Sequence, residues 1–368
     1  MDKERYNRQI ILEGFGEEGQ RKLSAASVLV IGAGGLGCPV LQYLAAAGVG
    51  NLAIADDDSI SLSNLHRQTL YTTGDIGKLK VSVAAARLKE MNDEVNIIAR
   101  AMHVDQNNVI DLLDEYDFVF DGTDNFETRY LINDACVLLK KPLIFAAISG
   151  YEGQLAVFNI PDQKGITTNY RDLFPVQPRA GEIPNCAENG VLGVVPALIG
   201  SMAANEVIKL ITGIGKPLIN NLLHYNLLTN EQYELYISPG NDYRLPQHAN
   251  DLLTVDYGDC IAENASYIEI DGEKLNALLN NGSTRCIDVR EVFETPKLNH
   301  NIFIQMPMSD LDAMLKTEIS EKNIILICQH GIRSLAAAEA LHDKYGNSKN
   351  IYSLKGGIAR WQNYFINP

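Results

Sequence analysis

The stretch VLVIGAGGLG, residues 28–37, constrains the fold of this chain more than any other. A β-branched apolar run ends directly in Gly32-Ala33-Gly34-Gly35-Leu36-Gly37, which has G-x-G-x-x-G spacing, and the helical segment PVLQYLAAAG follows. Strand, tight glycine turn and helix, in that order, open a nucleotide-binding α/β unit. The glycines let the backbone approach phosphate closely, and the helix N-terminus faces the negative charge. An acidic residue about twenty positions on should bond the ribose, and Asp56 closes NLAIAD at that distance. NAD, FAD and ATP all satisfy this arrangement.

From Ser27 to Phe158 short β-branched runs alternate with longer amphipathic ones: VLVI, NLAIAD, VNIIAR, DFVF and PLIFAAI as strands, with helices such as KVSVAAARLKEMN and YLINDACVLLKK between them. This βαβ series predicts a Rossmann-like, doubly wound parallel sheet. QLAVFNI adds a strand, a helix is expected near Pro196 to Thr212, and HYNLLTNEQYELYI reads as a hairpin turning at Thr229-Asn230. Residues 169–190 hold three prolines and little periodicity, and read as a long functional loop. After Ser238 the sequence turns polar and turn-rich, and a second, smaller α/β pattern follows. The expected organisation is a domain over 1–245, a linker over 246–262 and a second domain over 263–368. A chain of 368 residues accommodates both cores.

The net charge of −15 argues against nucleic acid as a partner. The N-terminal MDKERYNRQ carries no apolar signal region, and the most apolar segment, VLGVVPALIGSMAANEVIKLI, is interrupted by Gly, Pro and Ser. The reading is a cytoplasmic protein with no membrane partner. Six cysteines with no C-x-x-C pair suggest neither a disulfide framework nor a zinc knuckle.

The residues after Asp56 discriminate among the nucleotides. Asn64, Arg67, Gln68 and Lys80 collect polar and cationic groups beyond what a nicotinamide site needs, whereas a triphosphate and its transfer chemistry need them. Asp121-Gly122-Thr123-Asp124-Asn125 follows the strand DFVF, and a carboxylate at such a strand end sits in the ligand crevice, where magnesium prefers oxygen ligands.

RYNRQIIL, GAGGLGCP, DDDSISLSNLHRQTLY, GKLK, DGTDN and NCAENGVLG, in this order, closely resemble the MoeB/ThiF family, bacterial relatives of the ubiquitin-activating enzymes, over roughly residues 1–235. The resemblance implies an ATP-dependent enzyme that adenylates the C-terminal glycine of a ubiquitin-like sulfur-carrier protein ending in Gly-Gly. It implies that Gly32, Gly34, Gly35 and Gly37 line the phosphates and that Asp56 holds the ribose. Asn64, Arg67, Gln68 and Lys80 would contact the phosphates, and Asp124 would handle Mg2+ and the reacting centre. Arg8 would reach into the neighbouring subunit's site, which makes the protein a homodimer.

IILICQHGIRSLAAAEAL has the form strand, tight loop, helix, with Cys328 opening the loop and Arg333 within it. A thiolate there would be stabilised by loop N–H groups, the helix N-terminus and Arg333. The C-x4-R spacing is one residue tighter than the C-x5-R of cysteine phosphatases and suits a single sulfur atom. With CIDVREVFE (Asp288, Arg290) and LKGGIARW, it resembles a rhodanese domain over roughly residues 263–368, although NHNIFIQMPMSDL departs from the usual wording. The resemblance implies a Cys328 persulfide, loaded by a donor such as a cysteine desulfurase, that attacks the acyl-adenylate to give a thiocarboxylate. The product could serve molybdopterin or thiamine biosynthesis, or tRNA thiolation.

Many relatives bind structural zinc through two C-x-x-C pairs. Here Asn169-Tyr170-Arg171-Asp172 stands at the first and no pair follows Tyr225, so no structural zinc is expected. Cys186 matches the adenylation-domain cysteine of the family; it either forms a covalent carrier intermediate or is dispensable when Cys328 attacks directly. Cys38 and Cys136 are expected in the core, while Cys260 and Cys286 have no motif support. Two other functions remain open at this point: a nicotinamide oxidoreductase fused to a sulfurtransferase, and a non-catalytic regulatory protein.

Overall fold

The computed structural model describes residues 3–178, 190–240, 243–257, 268–279, 283–329 and 331–361. Cys186 and Cys260 lie outside the described residues. The chain divides into two compact units between Tyr257 and Ile268.

The first unit is built on an eight-stranded sheet of order β3-β2-β1-β4-β5-β6-β7-β8. Strands β1 (Ser27–Ile31), β2 (Asn51–Ala55), β3 (Asn96–Arg100), β4 (Phe118–Asp121) and β5 (Leu143–Ser149) run parallel. β6 (Glu152–Phe158), β7 (Asn221–Asn226) and β8 (Glu231–Tyr236) extend it antiparallel. The central strands are apolar throughout because helices cover both faces. Val28 and Val30 face one core cluster, while Leu29 and Ile31 face the other. The β7–β8 hairpin turns through Asn230, whose φ of 56° is one that asparagine tolerates better than most residues.

Crossover helices α3 (Gly37–Ala47) and α4 (Lys80–Met91) return the chain between parallel strands, and α1 (Lys3–Ile10) and α2 (Gly16–Ala25) precede β1. α5 (Val109–Asp114) and α6 (Phe126–Leu139) flank β4. Cys38 on α3 and Cys136 on α6 are core residues, as expected, and burial pushes both thiols up, that of Cys38 to about 12.

Within the segment read as a loop, residues Tyr170–Leu173 form the short helix α7, capped by the Asn169 side chain, which accepts from the Arg171 amide at 2.9 Å. The helix expected near Pro196 to Thr212 spans Val194–Thr212 (α8). It is long and apolar enough to cross a membrane, yet its Val195, Ile199, Ala203 and Val207 pack in the first unit's core at helical spacing. Part of the expected linker also belongs to this unit. Ala249–Leu252 forms a helical turn (α9), Leu252 and Tyr257 are buried in its core, and Gln106 Nε2 donates to the carbonyls of Leu252 and Val255 at 2.8 and 2.6 Å.

The second unit is a five-stranded parallel sheet of order β11-β10-β12-β13-β9. Its strands are β9 (Ile268–Ile270), β10 (Thr284–Asp288), β11 (Phe303–Gln305), β12 (Asn323–Ile327) and β13 (Asn350–Leu354). Helices α10 (Gly272–Leu279), α11 (Leu311–Lys316), α12 (Ile332–Tyr345) and α13 (Gly357–Arg360) complete it. The stretch with unfamiliar wording contributes the three-residue edge strand β11. Cys286 is buried on β10, and burial pushes its thiol up to about 12.

Candidate active sites

The glycine loop leaves β1 where the strand order reverses, between β1 and β4. Ligands of doubly wound sheets bind at such a switch point. Two glycines there have no substitute. Gly32 has φ 92°, and a Cβ on it would lie 2.7 Å from the Gly122 carbonyl oxygen. A Cβ on Gly37 would lie 1.9 Å from the Gly32 carbonyl oxygen. The loop can close onto α3, and lie against the neighbouring loop, only without side chains at these positions.

Asp56 follows β2 and locks the loop. Its Oδ2 accepts from the Ala33 amide and its Oδ1 from the Asp58 amide, both at 2.8 Å. Burial pushes its carboxyl up, while Lys80 and these amides pull it back. Lys80, the first residue of α4, is buried; its Nζ donates to Asp58 Oδ2 at 2.6 Å and lies 4.0 Å from Asp56 Oδ2. The lysine is thus held at the acidic end of β2. Tyr71, which the sequence reading did not single out, donates its buried hydroxyl to the Ala33 carbonyl at 2.9 Å.

Asn64, Arg67 and Gln68 come from one irregular segment. Asn64 Oδ1 accepts from the Ser61 amide at 3.2 Å, and Arg67 Nη1 donates to the Ser63 carbonyl at 3.0 Å. A Cβ on Gly34 would stand 3.6 Å from Gln68 Nε2, and one on Gly35 3.6 Å from Arg67 Cδ, so this segment borders the loop. Gln68 Oε1 is buried without a hydrogen-bond partner among the described residues. An unpartnered amide oxygen beside a glycine cradle fits a ligand that offers a hydrogen-bond donor there, such as a nucleotide hydroxyl or amino group.

Across the crevice, Asp121 ends β4 fully buried. Its Oδ1 accepts from the Thr123 amide and hydroxyl at 2.9 and 2.6 Å, and Arg129 Nε donates to its Oδ2 at 3.0 Å. Arg129 Nη2 also donates to the Thr123 carbonyl at 2.6 Å. Asp121 and Arg129 therefore fix the turn that carries exposed Asp124. The sequence reading missed Arg129; its signal was a cation five positions after Asp124 on the following helix. No cluster of three or more His, Cys, Asp or Glu side chains suited to a metal occurs among the described residues. A single carboxylate still suits magnesium, which takes one or two carboxylates and completes its shell with phosphates and water. Arg8 is exposed on α1.

The positions compared with the first zinc-ligand pair, Asn169 and Asp172, hold a different device. Asn169 and Asp172 stand three apart, as do Gly240 and Tyr243, and the two pairs meet. Asp172 Oδ1 accepts from the Gly240 amide at 2.6 Å and from the Tyr243 hydroxyl at 2.5 Å. Its Oδ2 accepts from the Asn169 amide and side chain at 2.7 and 2.9 Å, and Asn169 Nδ2 donates to the Tyr243 hydroxyl at 2.7 Å. Burial pushes the Tyr243 phenol up to about 12, so it stays a donor. Beside them Arg171 clamps buried Asp134 through two bonds of 2.7 Å, and the Tyr257 hydroxyl donates to Asp134 at 2.8 Å. With no thiolate or imidazole among them, these residues do not fit a tetrahedral zinc centre; hydrogen bonds join the segments directly.

In the second unit Cys328 follows β12, fully buried. Its Sγ accepts from the Gly331 amide at 3.0 Å, with Ser334 Oγ at 3.5 Å. The expected support from a loop amide is present. The Arg333 guanidinium makes a bidentate pair with Glu294 at 2.6 and 2.9 Å. Although burial raises the Glu294 carboxyl, Arg333 holds it below its usual value. Asp288 and Arg290 form a buried pair, and Arg290 Nη1 donates to Gln329 Oε1 at 3.2 Å, which links the pair to the Cys328 loop.

Comparison with known proteins shows the family. A model described as the ThiF family matches residues 6–243, and one described as a Rhodanese-like domain matches residues 271–364. A "Probable adenylyltransferase/sulfurtransferase MoeZ" of Mycobacterium tuberculosis is 38% identical over 367 residues, covering 97% of this chain and 92% of its own. A "Sulfur carrier protein adenylyltransferase" of Thermus thermophilus is 52% identical over 226 residues, 61% of this chain and 83% of its own. "Adenylyltransferase and sulfurtransferase MOCS3-2" of Zea mays is 35% identical, covering 97% and 78%. Among solved structures, E. coli MccB superposes with a TM-score of 0.56 at 24% identity, over 67% of this chain and 75% of that one. At that identity the likeness shows the fold alone.

Proposed function

The chain belongs to the ThiF family and carries a rhodanese-like domain after it, and we propose that it activates a ubiquitin-like sulfur-carrier protein and sulfurates it. The observation that carries this reading is the pairing of two sites in one chain. A glycine cradle is bordered by Arg67 and by Gln68, whose amide oxygen lacks a partner among the described residues, with Lys80 beside Asp56, and a second domain presents Cys328 to a loop amide. The full-length relatives are named for both activities.

In the first step the carrier's C-terminal carboxylate attacks the α-phosphorus of ATP, and pyrophosphate leaves. Gly32, Gly34, Gly35 and Gly37 give the phosphates access to the backbone, and Asp56 receives the ribose. Asn64 and Gln68 hold phosphate oxygens. Lys80 and Arg67, with Arg8 from the neighbouring subunit of a homodimer, screen the attacking carboxylate from like charge. Lys80 exchanges Asp58 for phosphate as the nucleotide enters. Asp124 would hold magnesium, which would neutralise phosphate charge.

In the second step the outer sulfur of a Cys328 persulfide attacks the acyl carbon and AMP leaves, giving an acyl disulfide. That sulfur extends about 2 Å beyond buried Sγ. A thiol then attacks Cys328 Sγ, and the S–S bond breaks with its electrons on the thiocarboxylate. Cys186 either acts as a covalent relay or is dispensable. The persulfide comes from a donor such as a cysteine desulfurase, in the cytoplasm, and the carrier belongs to molybdopterin or thiamine biosynthesis or to tRNA thiolation.

The test is ATP–pyrophosphate exchange with and without purified Gly-Gly carriers, alongside an NADH titration. Carrier-dependent exchange with no NADH binding is expected. NADH binding without exchange would favour the oxidoreductase, and neither activity would favour a regulatory protein.

A further inference from the structure

Strand β13 places a polar residue, Ser353, between buried Tyr352 and Leu354, and it is itself fully buried. A buried hydroxyl is costly unless it is hydrogen-bonded. Ser353 Oγ donates to Ser334 Oγ at 2.8 Å, and Ser334 is also fully buried. Ser334 Oγ in turn lies 2.9 Å from the Gly331 carbonyl and 3.5 Å from Cys328 Sγ. Each hydroxyl has one proton. With Ser353 donating into Ser334, the Ser334 proton is directed to one of two acceptors, the Gly331 carbonyl or Sγ. A neutral thiol leaves it on the nearer carbonyl. A negative charge on Sγ draws it over, and the bond received from Ser353 strengthens the one Ser334 gives.

We propose that Ser353 is a positioning residue for sulfur loading, acting through Ser334 to stabilise the Cys328 thiolate. In loading, Sγ attacks the outer sulfur of a donor persulfide. The new Sγ–S bond forms as the donor's S–S bond breaks, and the donor leaves as a thiolate. The relay favours the charged attacking form of Sγ. Among the described residues, Arg333 near the loop is paired with Glu294 and Arg290 with Asp288. This inference rests on Cys328 acting as a thiolate in the proposed transfer.

The test is the pH profile of iodoacetamide alkylation of Cys328 in the full-length protein, read by peptide mass spectrometry without carrier or ATP. Ser334→Ala is expected to slow alkylation about tenfold at neutral pH, and Ser353→Ala about threefold, with both profiles moved to higher pH. Ser353→Ala should have no further effect in the Ser334→Ala background, and Ser353→Thr, which keeps the hydroxyl, should restore the wild-type profile. Should Ser353→Ala unfold the domain at the assay temperature, Ser353→Cys, with similar volume and a weaker donor, carries the same comparison. A wild-type profile for Ser353→Ala, or an equal effect with and without Ser334, overturns the relay. Thiosulfate:cyanide sulfurtransferase activity, measured separately, tells that outcome from a failure of the sulfur-transfer reading.

Discussion

Replacing Asp172 by alanine tests how the first unit holds its α7 segment without metal. The carboxylate accepts four hydrogen bonds, two from Asn169, one from the Gly240 amide and one from the Tyr243 hydroxyl. A hydrogen bond to a charged group contributes roughly 1.5–3 kcal/mol when its partners stay desolvated. Asp172 is only half-buried, so water replaces part of this, and bonds sharing one acceptor do not add. A loss of about 3 kcal/mol is expected. At roughly 2–4 °C per kcal/mol for a unit of this size, the melting temperature should fall by about 6–12 °C. Tyr243→Phe removes one donor and leaves the carboxylate three, so it should cost about 1 kcal/mol. Calorimetry of wild type and both variants, with and without EDTA, reads these shifts, and metal analysis after dialysis accompanies it. An unchanged melting temperature for Asp172→Ala would refute the clasp. So would a wild-type protein that EDTA destabilises, or about one zinc per chain.

Lys80→Ala and Asp124→Ala should each abolish carrier-dependent pyrophosphate exchange with an unchanged circular dichroism spectrum; normal exchange in both would displace the nucleotide site. Gly37→Ala should prevent ATP binding by titration calorimetry, because its Cβ would stand 1.9 Å from the Gly32 carbonyl oxygen; wild-type affinity would mean that the turn is not the phosphate cradle. Hydrogen bonds from the Thr72 hydroxyl and amide hold the Asp75 carboxyl down to about 2, below the unfolded value of about 4. Its contribution to stability is therefore full above about pH 4 and lost as pH falls towards 2. Asp75→Asn should flatten the acid limb of a denaturant-midpoint profile, and an unaltered limb would contradict this.

The parts of the fold that the sequence exposed are those written in local pattern. The run VLVI, the glycine spacing and Asp56 lie within thirty residues, and their chemistry follows from order alone. The same holds for Cys328, whose strand, loop and helix are contiguous. What stayed hidden depends on distant partners. α7 has four residues in a proline-rich stretch and is held by Asn133, Asp134 and Tyr243, far along the chain. The polar stretch from 246 reads as linker by composition, yet Leu252 and Tyr257 anchor it in the first core. Arg333 reads as a thiolate partner by spacing, and its pairing with Glu294, thirty-nine positions away, is not written in that local pattern. Arg129 reads as an ordinary helix-surface cation, because its burial against Asp121 is a tertiary fact.

The central claim is that one chain activates a carrier at one site and sulfurates it at another. Cys328→Ser separates the two steps. The substitution exchanges sulfur for oxygen in a buried position and leaves the nucleotide site untouched. With carrier, ATP and a persulfide donor, mass spectrometry of the carrier and pyrophosphate exchange are followed together. The account predicts wild-type exchange, accumulated carrier adenylate and no thiocarboxylate. Thiocarboxylate formed at the wild-type rate by Cys328→Ser would contradict it.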